Sequence, residues 1–427
     1  MERIVYDNIK EQIFYEQLEN GLQVYLLPKP GFNKYYGTFT TKYGSIDNQF
    51  TPIGKTELVK VPDGIAHFLE HKMFESEEGD VFEEFTKFGA NTNAFTAFNR
   101  TAYLFSCTSN FEQNLNILLN FVQEPYFTDE SVEKEKGIIA QEIKMYDDNP
   151  DWRLYFGTID NLYKENPVKV DIAGTVESID QITKEHLYEC YNTFYHPSNM
   201  LLFVVGDFNP EETIQLIKNN QGKRQFPKLS KLERNYIFES NQVDQVKNVL
   251  HMDVGTPKVH VAIKDGKSDL QGMDLLRKEI AMDIIFDHLF SRSSDYYKEL
   301  MEEQLINDTF GYELTFEYSY GFALAGGDTS KPDELAERLR SILLEAKNLK
   351  MTQEAFDQIK HKKLGATMKG FNSIENIANS FTRFKFNDMN LFDAIKVYEE
   401  FTLDELNDYL DFFSEEAITT MMVLPNE

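Results

Sequence analysis

Thr183-Lys184-Glu185, followed by the apolar run Met200–Val205, returns late in the chain as Thr402-Leu403-Asp404-Glu405 ahead of Thr419–Leu424. Each threonine-led stretch reads as the opening of a helix. The aliphatic runs read as buried strands. A second pair of helix openings, Thr128-Asp129-Glu130 and Thr352-Gln353-Glu354, recurs at nearly the same offset, 224 residues against 219. Two tandem copies of one unit account for this, with chance recurrence of common elements as the competing reading because the identities are few. The expected fold is therefore α+β, two tandem related domains, each an antiparallel sheet with helices packed on one face.

The remaining elements fit that outline. Asn20-Gly21 marks a turn ahead of a strand over Leu22–Leu27, which Pro28 and Pro30 stop. Further strand character covers Tyr35–Tyr43 and Asn93–Cys107, and helical periodicity covers Ile65–Phe74, Asn114–Gln123, Glu130–Tyr146 and Lys184–Phe194. Between Gly222 and Arg234, Lys223, Arg224, Lys228, Lys231 and Arg234 stand against Glu233, and Pro227 breaks any helix. This reads as a linker, the alternative being a basic surface loop within one domain. The expected division is a first domain over 1–221, a linker over 222–239 and a second domain over 240–427.

Composition narrows the function. The 427 residues carry a formal charge of −28, which repels phosphate backbones and anionic lipid surfaces, so neither nucleic acid nor a membrane is an expected partner. Two cysteines, Cys107 and Cys190, exclude a disulfide framework or a cysteine-rich zinc module. No apolar run approaches the ~20 residues of a spanning helix, and the expected compartment is the cytoplasm.

His67-Phe68-Leu69-Glu70-His71 carries the chemistry. On a helix, Ile65, Phe68, Leu69 and Met73 form one stripe, and His67, Glu70 and His71 project together from the opposite side. Two imidazoles one turn apart can bind one metal ion, and the carboxylate between them can hold its water. A solvated polar face is the bland alternative. Two histidines leave a catalytic zinc site incomplete, so a third ligand is required. On the helix from Glu130 to Tyr146, Ile138, Ile139, Ile143 and Tyr146 define an apolar face from which Glu135 and Glu142 project. Buried carboxylates need a proton, a partner or a metal; reaching water from the edge of the stripe is the other option.

HxxEH is the inverzincin signature, and the chain resembles the pitrilysin/insulysin-type zinc metallopeptidases, which include the mitochondrial processing peptidase. Beyond the motif, the resemblance covers nearly the whole chain, including Glu19–Val24, Gly89–Thr96, Glu135–Asp147, Gly174-Thr175 and Tyr195–Asp207. It is strongest to the bacterial YmfH-like branch, usually found alongside a related YmfF-like protein. The resemblance implies zinc (Zn2+) held by His67, His71 and Glu142, with Glu70 as general base and Glu135 supporting the ligands. It also implies that Asn93, Ala94 and Phe95 belong to an edge strand that binds the peptide substrate, and that the two domains enclose a chamber.

One departure stands out. Active relatives place an Arg and, seven residues later, a Tyr in the second domain, where they help bind substrate and the tetrahedral intermediate. In Lys298–Asp308 those positions hold Met301 and Asp308, or Leu300 and Asn307 in a register one residue earlier. Losing a positive donor aimed at developing negative charge costs on the order of a hundredfold in rate. The chain is then weakly active alone, or a partner supplies the pair: a related non-identical subunit or a second copy in a homodimer. The expected function is a zinc endopeptidase acting on peptides or unfolded segments, with a preference for basic peptides following from the acidic surplus. A non-catalytic subunit serving peptide binding or assembly is the alternative. His186, His196, His251, His260, His288 and His361 show no paired metal spacing, and Gly266-Lys267-Ser268 lacks the earlier glycine of a phosphate-binding loop, having Val261 there.

Overall fold

The segments rich in aliphatic and aromatic residues pair as strands. In the computed structural model, which describes residues 1–7, 9–227 and 232–426, the first sheet comprises β1 (Glu2–Tyr6), β2 (Glu11–Gln17), β3 (Gln23–Pro28), β4 (Tyr35–Thr41), β5 (Asn91–Thr96), β6 (Thr101–Cys107) and β7 (Met200–Gly206). Their order is β1-β2-β3-β7-β4-β6-β5. Neighbours are antiparallel except β3 and β7. The second sheet comprises β8 (Lys247–Met252), β9 (Lys258–Lys264), β10 (Gly311–Glu317), β11 (Tyr320–Asp328) and β12 (Ile418–Pro425), in the order β8-β12-β9-β11-β10. Here β8 and β12 are the parallel pair and the other neighbours are antiparallel.

Strand for strand, the second order repeats β3-β7-β4-β6-β5, so the tandem repeat is real and resides in topology. The expected α+β architecture is present, with one parallel pair added to each antiparallel sheet. In both copies the last strand inserts beside the first. That central placement explains its composition: β7 is buried along its whole length, and a strand covered on both faces reads as a continuous apolar run.

The threonines of the repeat act as helix caps. Helices that accompany these sheets include α1 (Ile65–Lys72), α2 (Phe111–Phe121), α3 (Asp129–Asp147), α4 (Pro150–Leu162), α5 (Lys184–Phe194), α6 (Gly272–Phe290), α7 (Gln353–Gly370) and α8 (Ile374–Phe386). Thr128 Oγ1 accepts from Ser131 N at the start of α3, and Thr352 Oγ1 from Ala355 N at the start of α7. Thr183 caps α5 by accepting from His186 N, and Thr402 caps the short helix Leu403–Asn407 by accepting from Glu405 N. Composition alone does not single out α4, but its start is well marked: Asn149 Oδ1 accepts from the N–H of Asp151 and Trp152, and Pro150 occupies the first turn.

Two contact units emerge, and neither is contiguous in sequence. The first contains Met1–Ile143, Asp171–Asn235 and Phe371–Arg383; the second contains Lys144–Val170, Tyr236–Gly370 and Phe384–Glu427. Helix α4 thus belongs with the second sheet. Leu154 packs with Met421 and Val423, Asn161 Nδ2 donates to Thr420 O, and Tyr163 OH donates to Gly321 O at 2.7 Å. Most of α8 belongs with the first, where the Phe381 ring meets those of Tyr25 and Phe203, each at 4.8 Å. Of the basic segment, Lys228 and Lys231 lie outside the described residues. Glu233–Arg234 pairs with Gln49–Thr51, and Arg234 binds Asp47 at 3.0 Å and Asn199 at 2.9 Å. Among the described residues no helix is long and apolar enough to cross a membrane.

Candidate metal centre

Helix α1 begins at a close crossing of two backbone segments. Gly64, its N-cap, has φ +86°, and a β-carbon there would lie 2.4 Å from the Ala173 carbonyl oxygen. Gly174 mirrors this, with φ +75° and Asp63 O at 2.6 Å from its hypothetical β-carbon. Ser178 Oγ donates to Asp63 O at 2.8 Å and closes the contact. Both positions need glycine for conformation and for space. Gly64→Ala is expected to cost about 2–4 kcal/mol in urea unfolding, and to weaken zinc affinity measured by chelator competition. Gly54→Ala is the control: φ is +75° but none of the described residues lies within 4 Å of the added carbon, so about 1 kcal/mol is expected there and no change in zinc affinity.

The stripe read from the sequence is buried: Ile65, Phe68, Leu69 and Met73 are each no more than 3% exposed. His67 and His71 leave the helix together, their ring centroids 4.5 Å apart. They face α3, where Ile139 and Ile143 anchor the packing and hold Glu135 and Glu142 at the edge of the buried surface. Ile138, expected on that apolar face, is instead 46% exposed: it sits beside the contact surface rather than within it.

Ligand atoms of His67, His71 and Glu142 lie within 4.8 Å of one another, the one grouping among the described residues able to hold a metal ion. His67 Nε2 is 3.7 Å from Glu142 Oε1, and His71 Nε2 is 3.5 Å from Glu142 Oε2. These separations are long for hydrogen bonds. They resemble the edges of a tetrahedron around zinc, whose ligands at about 2.0–2.1 Å sit roughly 3.3–3.4 Å from each other. His71 Nδ1 lies 3.0 Å from Glu135 Oε1, and with Nδ1 donating there Nε2, the nitrogen that faces Glu142, is the one that would ligate a metal. The donor set of two imidazoles and a carboxylate, with a second carboxylate behind one imidazole, fits a zinc ion.

The local electrostatics agree with that fit. Burial, reinforced by the neighbouring His71, lowers the His67 pKa to about 4, which keeps the ring in its neutral, ligating form. Burial also acts to lower the His71 pKa, but the Glu135 hydrogen bond and the charges of Glu70, Glu135 and Glu142 outweigh it and raise the value, so a metal binding there displaces a proton. Glu70 is 9% exposed; burial raises its pKa against the opposing pull of His71 and a hydrogen bond from Thr96. That bond, Thr96 Oγ1 to Glu70 Oε2 at 2.9 Å, joins the motif helix to β5. Thr96 ends the Gly89–Thr96 segment of the resemblance, but nothing in the sequence links it to Glu70, because the two residues are 26 apart and meet only once α1 packs on the sheet.

Asn93, Ala94 and Phe95 lie on β5, which pairs with β6 on one side and is the last strand of its sheet. Ala94 N–H donates to Asn93 Oδ1 at 2.9 Å. Lys72, which the motif reading leaves out, is 1% exposed and pairs with Glu75.

In the second unit, α6 and α7 follow the order of α1 and α3 but bring a different set together. Asp283 and Asp287, one turn apart on α6, meet Lys363 of α7 at 2.6 and 3.3 Å, and Lys362 bonds Asp287 at 2.8 Å. Lysines supply fixed positive charge where the first unit has room for a metal. At the positions expected to carry an Arg and a Tyr, Leu300 is fully buried, whereas Met301 is 43% exposed and Asp308 is exposed. The register using Met301 and Asp308 therefore places side chains at the surface.

A family model described as "Insulinase (Peptidase family M16)" matches residues 60–176, and one described as "Peptidase M16 inactive domain" matches residues 181–363. The chain is 52% identical over 423 residues to a Bacillus subtilis protein named "Uncharacterized zinc protease YmfH", covering 99% of both. It superposes with a TM-score of 0.93 and 38% identity on a putative M16-like peptidase from Alicyclobacillus acidocaldarius, over 97% of this chain and 99% of that one. Pitrilysin matches in fold alone: TM-score 0.74, 14% identity, the whole of this chain against 46% of that one.

Proposed function

Because the chain belongs to peptidase family M16, the insulinase family, we propose that it is a zinc-dependent endopeptidase cleaving extended peptides or unfolded segments. The observation that carries this reading is the convergence of His67, His71 and Glu142, with Glu135 fixing the His71 tautomer. His67 and His71 would hold zinc through Nε2 and Glu142 through its carboxylate. When bound, zinc supplies a Lewis acid for the scissile carbonyl and lowers the pKa of water at its open position. Glu70 takes the proton of the attacking water and returns it to the leaving amine. The free edge of β5 gives the peptide main-chain hydrogen bonds, with little demand on its sequence. Asn93, Ala94 and Phe95 are the contact residues, and the Ala94 N–H must exchange its bond to Asn93 for one to substrate.

Met301 and Asp308 supply no positive donor and no phenol, which favours a partner that does: a related non-identical subunit, or a second copy of this chain. The second reading, a non-catalytic subunit that binds peptide or serves assembly, draws on the same two residues. The cytoplasm is the proposed compartment, its reducing conditions suiting Cys107 and Cys190, both free and buried.

The test is cleavage of a set of quenched fluorescent peptides by the purified chain, alone and mixed with a related subunit. The expected result is activity that rises on mixing, is lost with a zinc chelator and returns with added zinc. Inactivity under every pairing despite stoichiometric zinc would favour the non-catalytic reading.

A further inference from the structure

Glu70 has two carboxylate oxygens, and among the described residues Oε2 is the one that accepts a hydrogen bond. Thr96 Oγ1 donates to Oε2 at 2.9 Å in surroundings that leave the residue 9% exposed. A hydrogen bond to an ionised group in a poorly solvated site is strong and directional. The donor sits on a hydrogen-bonded, closely packed hairpin. Thr96 pairs with Thr101 where the β5–β6 hairpin turns, Ala97 N donates to Arg100 O at 2.8 Å, and Ser45 N donates to Ala97 O at 3.2 Å. Behind the turn, Gly44 lies so close that a β-carbon would be 2.4 Å from the Phe98 backbone.

We infer that Thr96 is a positioning residue for the proposed reaction: its hydroxyl holds Oε2 of Glu70 and leaves Oε1 to accept the proton of the attacking water. The assignment rests on the peptidase reading above and adds a residue that neither the motif nor the ligand set contains. It also ties the base to the strand proposed to bind substrate, since Thr96 directly follows Asn93, Ala94 and Phe95 on β5. A freely rotating carboxylate would spend much of its time out of line with the water, and alignment is worth a large share of general-base catalysis.

The experiment measures kcat and KM for zinc-loaded wild type, Thr96→Val, Thr96→Ser and Glu70→Gln, with the related subunit present. Thr41→Val is the structural control, because it removes a buried hydroxyl bond of the same sheet, from Thr41 to Phe194 O, and leaves the Thr96 hydroxyl in place. Expected for Thr96→Val is a fall in kcat of about tenfold or more with KM within about twofold of wild type. Thr96→Ser, which keeps the donor, should recover most of the rate, and zinc affinity by chelator competition should be unchanged. If Thr96→Val keeps the wild-type kcat while Glu70→Gln is inactive, the inference is overturned and the peptidase reading stands. A loss that Thr96→Ser does not rescue, that Thr41→Val reproduces, or that tracks weaker zinc binding also overturns it. Wild type no faster than Glu70→Gln would sink the peptidase reading, and this inference with it.

Discussion

Glu70→Gln is expected to lower kcat for peptide cleavage by about 10²–10⁴-fold while leaving zinc binding intact. The amide matches the carboxylate in shape and can still accept from Thr96 Oγ1, so packing around α1 should not change. What it cannot do is accept a proton from water. Glu70 also lies outside the group formed by His67, His71 and Glu142, so the zinc content of the variant, measured by atomic emission, should equal wild type. Cleavage by Glu70→Gln within about twofold of wild type would refute the assignment of the general base. Loss of zinc together with activity would instead make Glu70 a ligand, a different mechanism.

A fragment ending at residue 227 is expected not to fold cooperatively, because the contact units exchange helices. Such a fragment keeps α4 but lacks the sheet that buries it, leaving Leu154, Phe156, Ile159 and Leu162 exposed, all at most 9% exposed in the intact chain. At roughly 1.5–3 kcal/mol for each large apolar side chain, about 6–12 kcal/mol of burial is forfeited. The same fragment lacks Ile377, Ala378 and Phe381, which are buried in the first unit. Whole domains are stable by about 5–15 kcal/mol, so a loss of this size is decisive. Circular dichroism in urea should give no sigmoidal transition for 1–227, and the fragment should aggregate. Co-expression with 232–427 should restore both a cooperative transition and zinc binding. A sharp transition from 1–227 alone, with zinc bound at wild-type affinity, would refute the interdependence.

Much of this was legible in the residues. Four threonines separated by similar offsets foretold the tandem repeat, because the residues that open a helix leave a local signature in the sequence. The same locality exposed the motif: His67, Glu70 and His71 are neighbours on one helix face, and periodicity alone brings them together. Met200–Val205 announced a strand buried on both faces. Its parallel pairing with β3 was not announced, since strand direction depends on the path of the intervening chain.

What only the tertiary structure decided involves contacts between residues far apart in sequence. Three-dimensional packing set Glu142 opposite both imidazoles and Glu135 against His71 Nδ1; helical periodicity showed only two acids on one face, and their roles came from the family resemblance alone. It gave Thr96 its bond to Glu70, showed Met301 rather than Leu300 at the surface, and passed α4 and α8 to the opposite units. The physical reason is the same in each case. Capping and periodicity act within a turn or two of chain and leave a readable pattern, whereas a long-range contact is chosen by the packing of whole elements, which no single segment encodes.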